Sequence, residues 1–219
     1  MQEKILNEKQ LMIAARTVSM VFTPFYLPLV GLVALFVFSY LKMMPWQFKL
    51  LVLLQAYIFT ILLPTLLIRF YRFTQGWHSH EIGTKERRMV PYIISVISYF
   101  TCYYTMNAIH IPHVISGILL AALSIQIVCA IINVWWKIST HSAAIGGFAG
   151  ALVAYSIKWS FNPVWWLCLI LVVAGLVGTA RMILRQHTLG QVVGGFAVGL
   201  VCAFFMILRF GREKGNKKT

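Results

Sequence analysis

The chain contains no aspartate. Its acids are five glutamates, Glu3, Glu8, Glu81, Glu86 and Glu213, and none lies inside an apolar run. A carboxylate cage for a hard metal ion, or a carboxylate proton relay within a membrane, therefore has little to be built from. Charge of either sign is scarce. Only 11% of the 219 residues are charged, against roughly 25% in a soluble domain. Cysteine is sparse too. Cys102, Cys129, Cys168 and Cys202 all fall in apolar stretches and form no C-x-x-C, which fits small buried hydrophobes.

What remains is greasy. The chain is 60% hydrophobic with a mean hydropathy of +0.80. Apolar segments run over about 18–41, 47–71, 91–108, 113–135, 141–158, 163–181 and 189–209, and several reach the roughly 20 residues that cross a bilayer. The first, from Val18 to Leu41, is longer than the apolar core of a signal peptide. Backbone groups in lipid must be satisfied within their own segment, so helices are expected and short alternating barrel strands are not. These features predict an all-α fold: a polytopic membrane bundle of six to seven transmembrane helices, forming a single domain over residues 1–219. Breaks fall at "KMMPW", "HIPH", "WKIST", "KWSFNP" and "LRQHT", three of them marked by Pro45, Pro112 and Pro163. One connection, residues 72–90, is long and holds Glu81, Glu86 and a basic cluster.

Counting crossings places the chemistry. Two segments separate the 72–90 connection from "WKISTHS", and two more separate that from "RMILRQHT". An even count sets all three polar clusters on one membrane face. The basic C-terminal tail, "RFGREKGNKKT", lies one crossing away and favours the cytoplasm. This predicts a bacterial inner-membrane protein with its clusters on the extracytoplasmic side, although Lys4, Lys9 and Arg16 in the N-terminal arm pull the other way.

Two stretches share a pattern. "STHSAAIGGFAG" and "RQHTLGQVVGGFAVG" each set a histidine beside a hydroxyl residue and then enter a glycine-rich apolar run. His187 and Gln191 are four apart at the start of a helical run and share a face. A histidine nucleophile needs one ring nitrogen free and the other held as a donor, and the Gln191 carbonyl can accept that bond. His141 follows Ser139 and Thr140, either of which can cap a helix or offer a hydroxyl to an anion. His141 is placed to act as a general acid. Arg181, Arg185, Lys85, Arg87 and Arg88 are candidate phosphate ligands, because arginine forks match phosphate oxygens. Each residue alone also fits a bland role, as an interfacial histidine, a core glutamine or a snorkelling base. Gly146 and Gly150, Gly190 and Gly194, and Gly195 and Gly199 are spaced for close helix approach. The "HSHE" stretch at His78 to Glu81 is a poor metal set without further ligands, so neither metal nor cofactor is expected.

Together, "KERRMVP", "KISTHS" and "RMILRQHTLGQ" resemble the signatures of the type 2 phosphatidic acid phosphatase superfamily, over roughly residues 80–200. The best match is the third signature, in which Arg181, His187 and Gln191 reproduce the family spacing. Gln191 stands where that family usually has Asp, a variant similar to that of dolichyl diphosphatases. Ile138 and Thr140 replace the Pro and Gly of the second signature, and the first signature is loose. The resemblance implies a metal-independent lipid phosphate or polyprenyl diphosphate phosphatase. In it His187 attacks phosphorus to form a phosphohistidine and His141 protonates the leaving oxygen. Gln191 supports the nucleophile, while Lys85, Arg88, Ser139, Thr140 and Arg181 hold the phosphate. The implied partners are the lipid substrate and membrane lipids, not nucleic acid. Two other readings stay open: a lipid phosphotransferase on the same scaffold, and a non-catalytic lipid-phosphate binder or transporter.

Overall fold

The computed structural model describes the backbone over residues 2–74 and 85–210, with side chains over 8–74 and 89–209. Among the described residues every regular element is a helix: α1 (Gln2–Val21), α2 (Leu27–Phe38), α3 (Trp46–Tyr57), α4 (Leu63–Thr74), α5 (Lys85–Ala108), α6 (His113–Trp135), α7 (Thr140–Trp159), α8 (Val164–Ile183) and α9 (Leu189–Phe210). Four stretches are long and apolar enough to cross a bilayer: Trp46–Thr74, His113–Trp135, Val164–Ile183 and Leu189–Arg209.

The first apolar run does not form the single helix expected over 18–41. Its chain turns between Val21 and Leu27, where Pro24 and Pro28 remove backbone donors. The beginning of the run closes α1, and the remainder forms α2, an apolar helix shorter than the four spans, followed by the 3₁₀ turn Tyr40–Met43. Tyr40 packs edge-on against Trp159 at the end of α7, 5.8 Å between ring centroids. The long connection is also shorter than expected, because α4 continues to Thr74 and α5 already begins at Lys85. Pro91 therefore sits inside α5 instead of starting it.

α3 and α4 form one rod through a π turn, Ile58–Leu62, in which the Leu63 N–H donates to the Ile58 carbonyl. Pro64 follows at once. Proline cannot donate and crowds the preceding turn, and a one-residue widening relieves both problems without breaking the helix.

The next helices end with shared grammar. His110, Ser160 and Arg185 adopt left-handed φ of 58°, 51° and 51°. In each case the following N–H reaches back five residues: Ile111 to Met106, Phe161 to Ser156, and Gln186 to Arg181. This is the Schellman stop usually made by glycine. A non-glycine residue there costs roughly 1–2 kcal/mol. Pro112 and Pro163 then prevent the helix from restarting in line.

α7 is the central helix, packed against α2, α6, α8 and above all α9. α7 and α9 run parallel, with both N-termini at one end of the bundle. A Cβ on Gly195 would strike the Ser139 carbonyl, one on Gly199 the Ala143 carbonyl, one on Gly146 the Phe196 carbonyl and one on Gly150 the Leu200 carbonyl. The two backbones are in direct contact over three turns. Gly190 and Gly194 behave differently: they face the Trp136 indole and make room for a ring, not for a helix.

Gly199→Ala or Gly150→Ala should thus lower the thermal unfolding temperature in detergent, with an overpacking cost of about 1–3 kcal/mol. Gly117→Ala in α6, where a Cβ would meet nothing within 4 Å, should be neutral or stabilising by up to about 1 kcal/mol through helix propensity. Equal losses at all three positions would show that the close seam does not set stability.

Candidate active site

The parallel pairing brings two helix starts together. Ser139 caps α7, its Oγ accepting from the Ser142 N–H at 3.4 Å and from the Ser142 hydroxyl at 3.0 Å. Thr188 precedes α9, and its N–H donates to Gln191 Oε1 at 3.2 Å, the return half of a capping box. The caps are joined directly: the Ser139 N–H donates to the Gln191 carbonyl at 3.3 Å. Two sets of first-turn N–H groups and two positive dipole ends therefore converge, a backbone arrangement that favours an anion.

His187 stands just ahead of α9, with Nδ1 3.2 Å from Gln191 Oε1. The tautomer follows from the neighbours. A backbone N–H can only donate, so the Gln191 atom that Thr188 meets is the carbonyl oxygen. The same oxygen can only accept, so His187 Nδ1 carries the proton. Nε2 is left with its lone pair. Burial first, then the charges of Arg181 and Lys137, push the His187 imidazole down from 6.5 to about 4, against a smaller upward pull from Gln191. Near neutral pH the ring is uncharged.

His141 lies on the first turn of α7, partly buried, within electrostatic reach of both Arg181 and His187. Arg181, near the C-terminus of α8, donates from Nη1 to the Ser19 hydroxyl at 2.8 Å. Tyr92 of α5 is a close electrostatic neighbour of Arg181. Two buried polar atoms here have no hydrogen-bond partner among the described residues: Arg181 Nε and His141 Nδ1. Such atoms each cost about 1–3 kcal/mol, and a protein keeps them where a ligand completes the bonding. The only acid among the described side chains is Glu8, which is exposed. Arg181 thus has no carboxylate partner among the described residues.

The structure unites His141, Arg181, His187 and Gln191. Thr140 is partly exposed on the same first turn as His141. Ser139 is fully buried and its hydroxyl caps α7. Arg185 is exposed at the stop of α8. Lys85 and Arg88 belong to the first turn of α5, but their side chains lie outside the described residues, as do Arg87, the "HSHE" stretch and the basic tail. The Asn133–Met89 contact between α6 and α5, 3.8 Å, together with Tyr92, brings the start of α5 to the site's end of the bundle. No group of three or more His, Cys, Asp or Glu able to hold a metal occurs among the described residues. Sequence reasoning missed Ser19 and Tyr92. Ser19 is a lone hydroxyl in an apolar stretch, and only the tertiary packing of α1 on α8 gives it a partner.

The PAP2 superfamily model matches residues 135–214, from the end of α6 through α9. The matched stretch contains His141, Arg181, His187 and Gln191, and points to phosphatase-type activity on a helical fold. No curated protein and no solved structure matches the chain.

The His187 shift fixes a pH signature. Its folded value lies below the unfolded one, so between about pH 4 and 6.5 the unfolded chain binds more protons and stability rises with pH. That contribution is complete above pH 6.5 and is lost as pH falls to about 4. Gln191→Glu sets a carboxylate against the imidazole and should raise its pKa by about 1–3 units. Histidine NMR titration of the two proteins checks this. An unmoved His187 resonance in the variant would show that the Gln191 contact is not made.

Proposed function

We propose that the protein is a membrane phosphatase acting on a lipid phosphate or polyprenyl diphosphate. The reading is carried by one observation: Arg181 Nε and His141 Nδ1, buried and without a hydrogen-bond partner among the described residues, lie beside a histidine whose tautomer Gln191 sets. A phosphoryl group supplies an oxygen for the Arg181 Nε–H and an electrophile for the imidazole. The long apolar helices and the exposed Leu189, Val193 and Trp135 near the site suit a substrate with a polar head and an apolar tail. On this reading α5 and α7 cross the membrane beside the four apolar spans, as does α2 with its 3₁₀ turn.

The chemistry takes two steps. His187 Nε2 attacks phosphorus, an N–P bond forms, and the bond to the leaving oxygen breaks. His141 gives that oxygen its proton. Water then attacks the phosphohistidine, the N–P bond breaks, His141 recovers a proton from the water, and phosphate leaves. Arg181 and the two helix N-termini stabilise charge on the equatorial oxygens, where most of the barrier to such transfers lies. The roles given to Lys85, Arg88, Ser139 and Thr140 as phosphate ligands, and the extracytoplasmic placement of the site, belong to the same proposal. Gln191 acts as a positioning residue. A neutral amide sets the tautomer but stabilises the imidazolium less than a carboxylate does.

Phosphate release in detergent, with chelator present, tests the reading on phosphatidic acid, phosphatidylglycerophosphate and undecaprenyl diphosphate. Wild type should hydrolyse at least one of them and be indifferent to chelator. His187→Ala should lose at least about a thousandfold in rate, and His141→Ala about 10²–10⁴-fold. Release unaffected by His187→Ala would sink the mechanism. Release only when a second lipid acceptor is added would identify a phosphotransferase.

A further inference from the structure

α1 meets the rest of the protein along a narrow edge. Of its described residues only Ala15 and Ser19 are buried, with Val18 partly so, while Leu11, Met12, Ile13, Met20 and Val21 are all at least half exposed. Its main neighbour is α8. A helix with so small a footprint contributes little to the core, yet Ser19, one helical turn after Ala15, is 7% exposed and delivers its hydroxyl to Arg181. The Ser19 backbone also lies against the His141 side chain. One residue of α1 therefore touches two of the groups that surround the proposed phosphate.

Which guanidinium nitrogen Ser19 takes is informative. Nη1 lies on the side of the group facing away from the Nε–H, and Nη2 shares an edge with Nε. With Nη1 held by Ser19 at 2.8 Å and Nε buried without a partner among the described residues, the edge left for an anion is the Nε–Nη2 fork. Side-on forks of this kind bind phosphate with two parallel bonds. Ser19 is a neutral acceptor, so it orients the guanidinium without cancelling its charge, as a carboxylate in its place would.

We infer that Ser19 of α1 is a positioning residue for phosphate binding: it holds Nη1 of Arg181 so that the Nε–Nη2 edge faces the phosphate, and α1 is thereby part of the active site. The inference rests on the phosphatase reading for the identity of the anion, but it can be tested without turnover.

The experiment measures stabilisation of the detergent-solubilised full-length protein by inorganic phosphate, from the shift of its unfolding temperature with phosphate concentration. The proteins are wild type, Ser19→Ala, Ser19→Thr, Arg181→Ala and Ser19→Ala/Arg181→Ala, and lipid phosphate hydrolysis is followed on the same set with His187→Ala. Alanine suits a helix and fits the space, and threonine keeps the hydroxyl. Phosphate affinity should fall about tenfold or more in Ser19→Ala, the scale of one hydrogen bond to a charged group. Ser19→Thr should stay near wild type. The double variant should be no weaker than Arg181→Ala alone, because Ser19 acts through that residue. Where hydrolysis is seen, the Ser19→Ala loss should fall mainly in kcat. Losses that multiply in the double variant, a Ser19→Ala protein that keeps wild-type phosphate affinity, or a wild type that phosphate does not stabilise, each overturn the inference. Hydrolysis that survives His187→Ala overturns the phosphatase mechanism and leaves the phosphate-binding comparison to judge Ser19 on its own.

Discussion

The contact between α7 and α9 is the constraint on which the rest of the site depends. Without side chains at Gly146, Gly150, Gly195 and Gly199, carbonyl oxygens of each helix lie where a Cβ of the other would stand. Lipid offers no hydrophobic drive for helices to associate, so such pairs rely on dispersion contacts over a close approach, and those are lost within a fraction of an ångström. The parallel arrangement then places both helix starts side by side. α8 must run the other way between them, which brings Arg181 back to the same end. The relative positions of His141 and His187 thus follow from where glycine falls in two helices, several turns from the chemistry.

Much of this is legible in the residues themselves, and the illegible parts have identifiable causes. Six of the seven apolar segments correspond to helical stretches with nearby boundaries, because prolines and polar breaks leave few places for turns. The one that failed, 18–41, failed because hydropathy does not register a proline-marked turn whose flanks are both apolar. The His187–Gln191 pair could be read from an i, i+4 spacing, since the helix fixes that distance. The glycine pairs gave the right principle for α7 and α9 but not for Gly190 and Gly194, because spacing alone does not say whether a helix or an indole fills the gap. Ser19 could not be found at all: its role depends on a contact 162 positions along the chain.

The site works with little charge. In place of a carboxylate, an amide oxygen is shared between a backbone cap and the imidazole. The same atom ends the helix and selects the tautomer, so the fold's local grammar and its chemistry are one set of bonds. Among the described side chains no carboxylate offsets Arg181 or the helix dipoles, which suits a dianionic guest better than a site that already holds an anion of its own.

The glycine seam also divides the site mechanically. Two backbones pressed together through carbonyl oxygens cannot slide past one another without collision, so His141, His187 and Gln191 form a fixed jaw. Arg181 stands on α8, which α1 grips through a narrow edge that includes Ser19. α8 meets α7 through side chains, an apolar cluster that includes Ile145, Ala149, Ile170 and Val177, and not backbone against backbone, so the arginine's side of the site rests on a softer contact than the histidines' side.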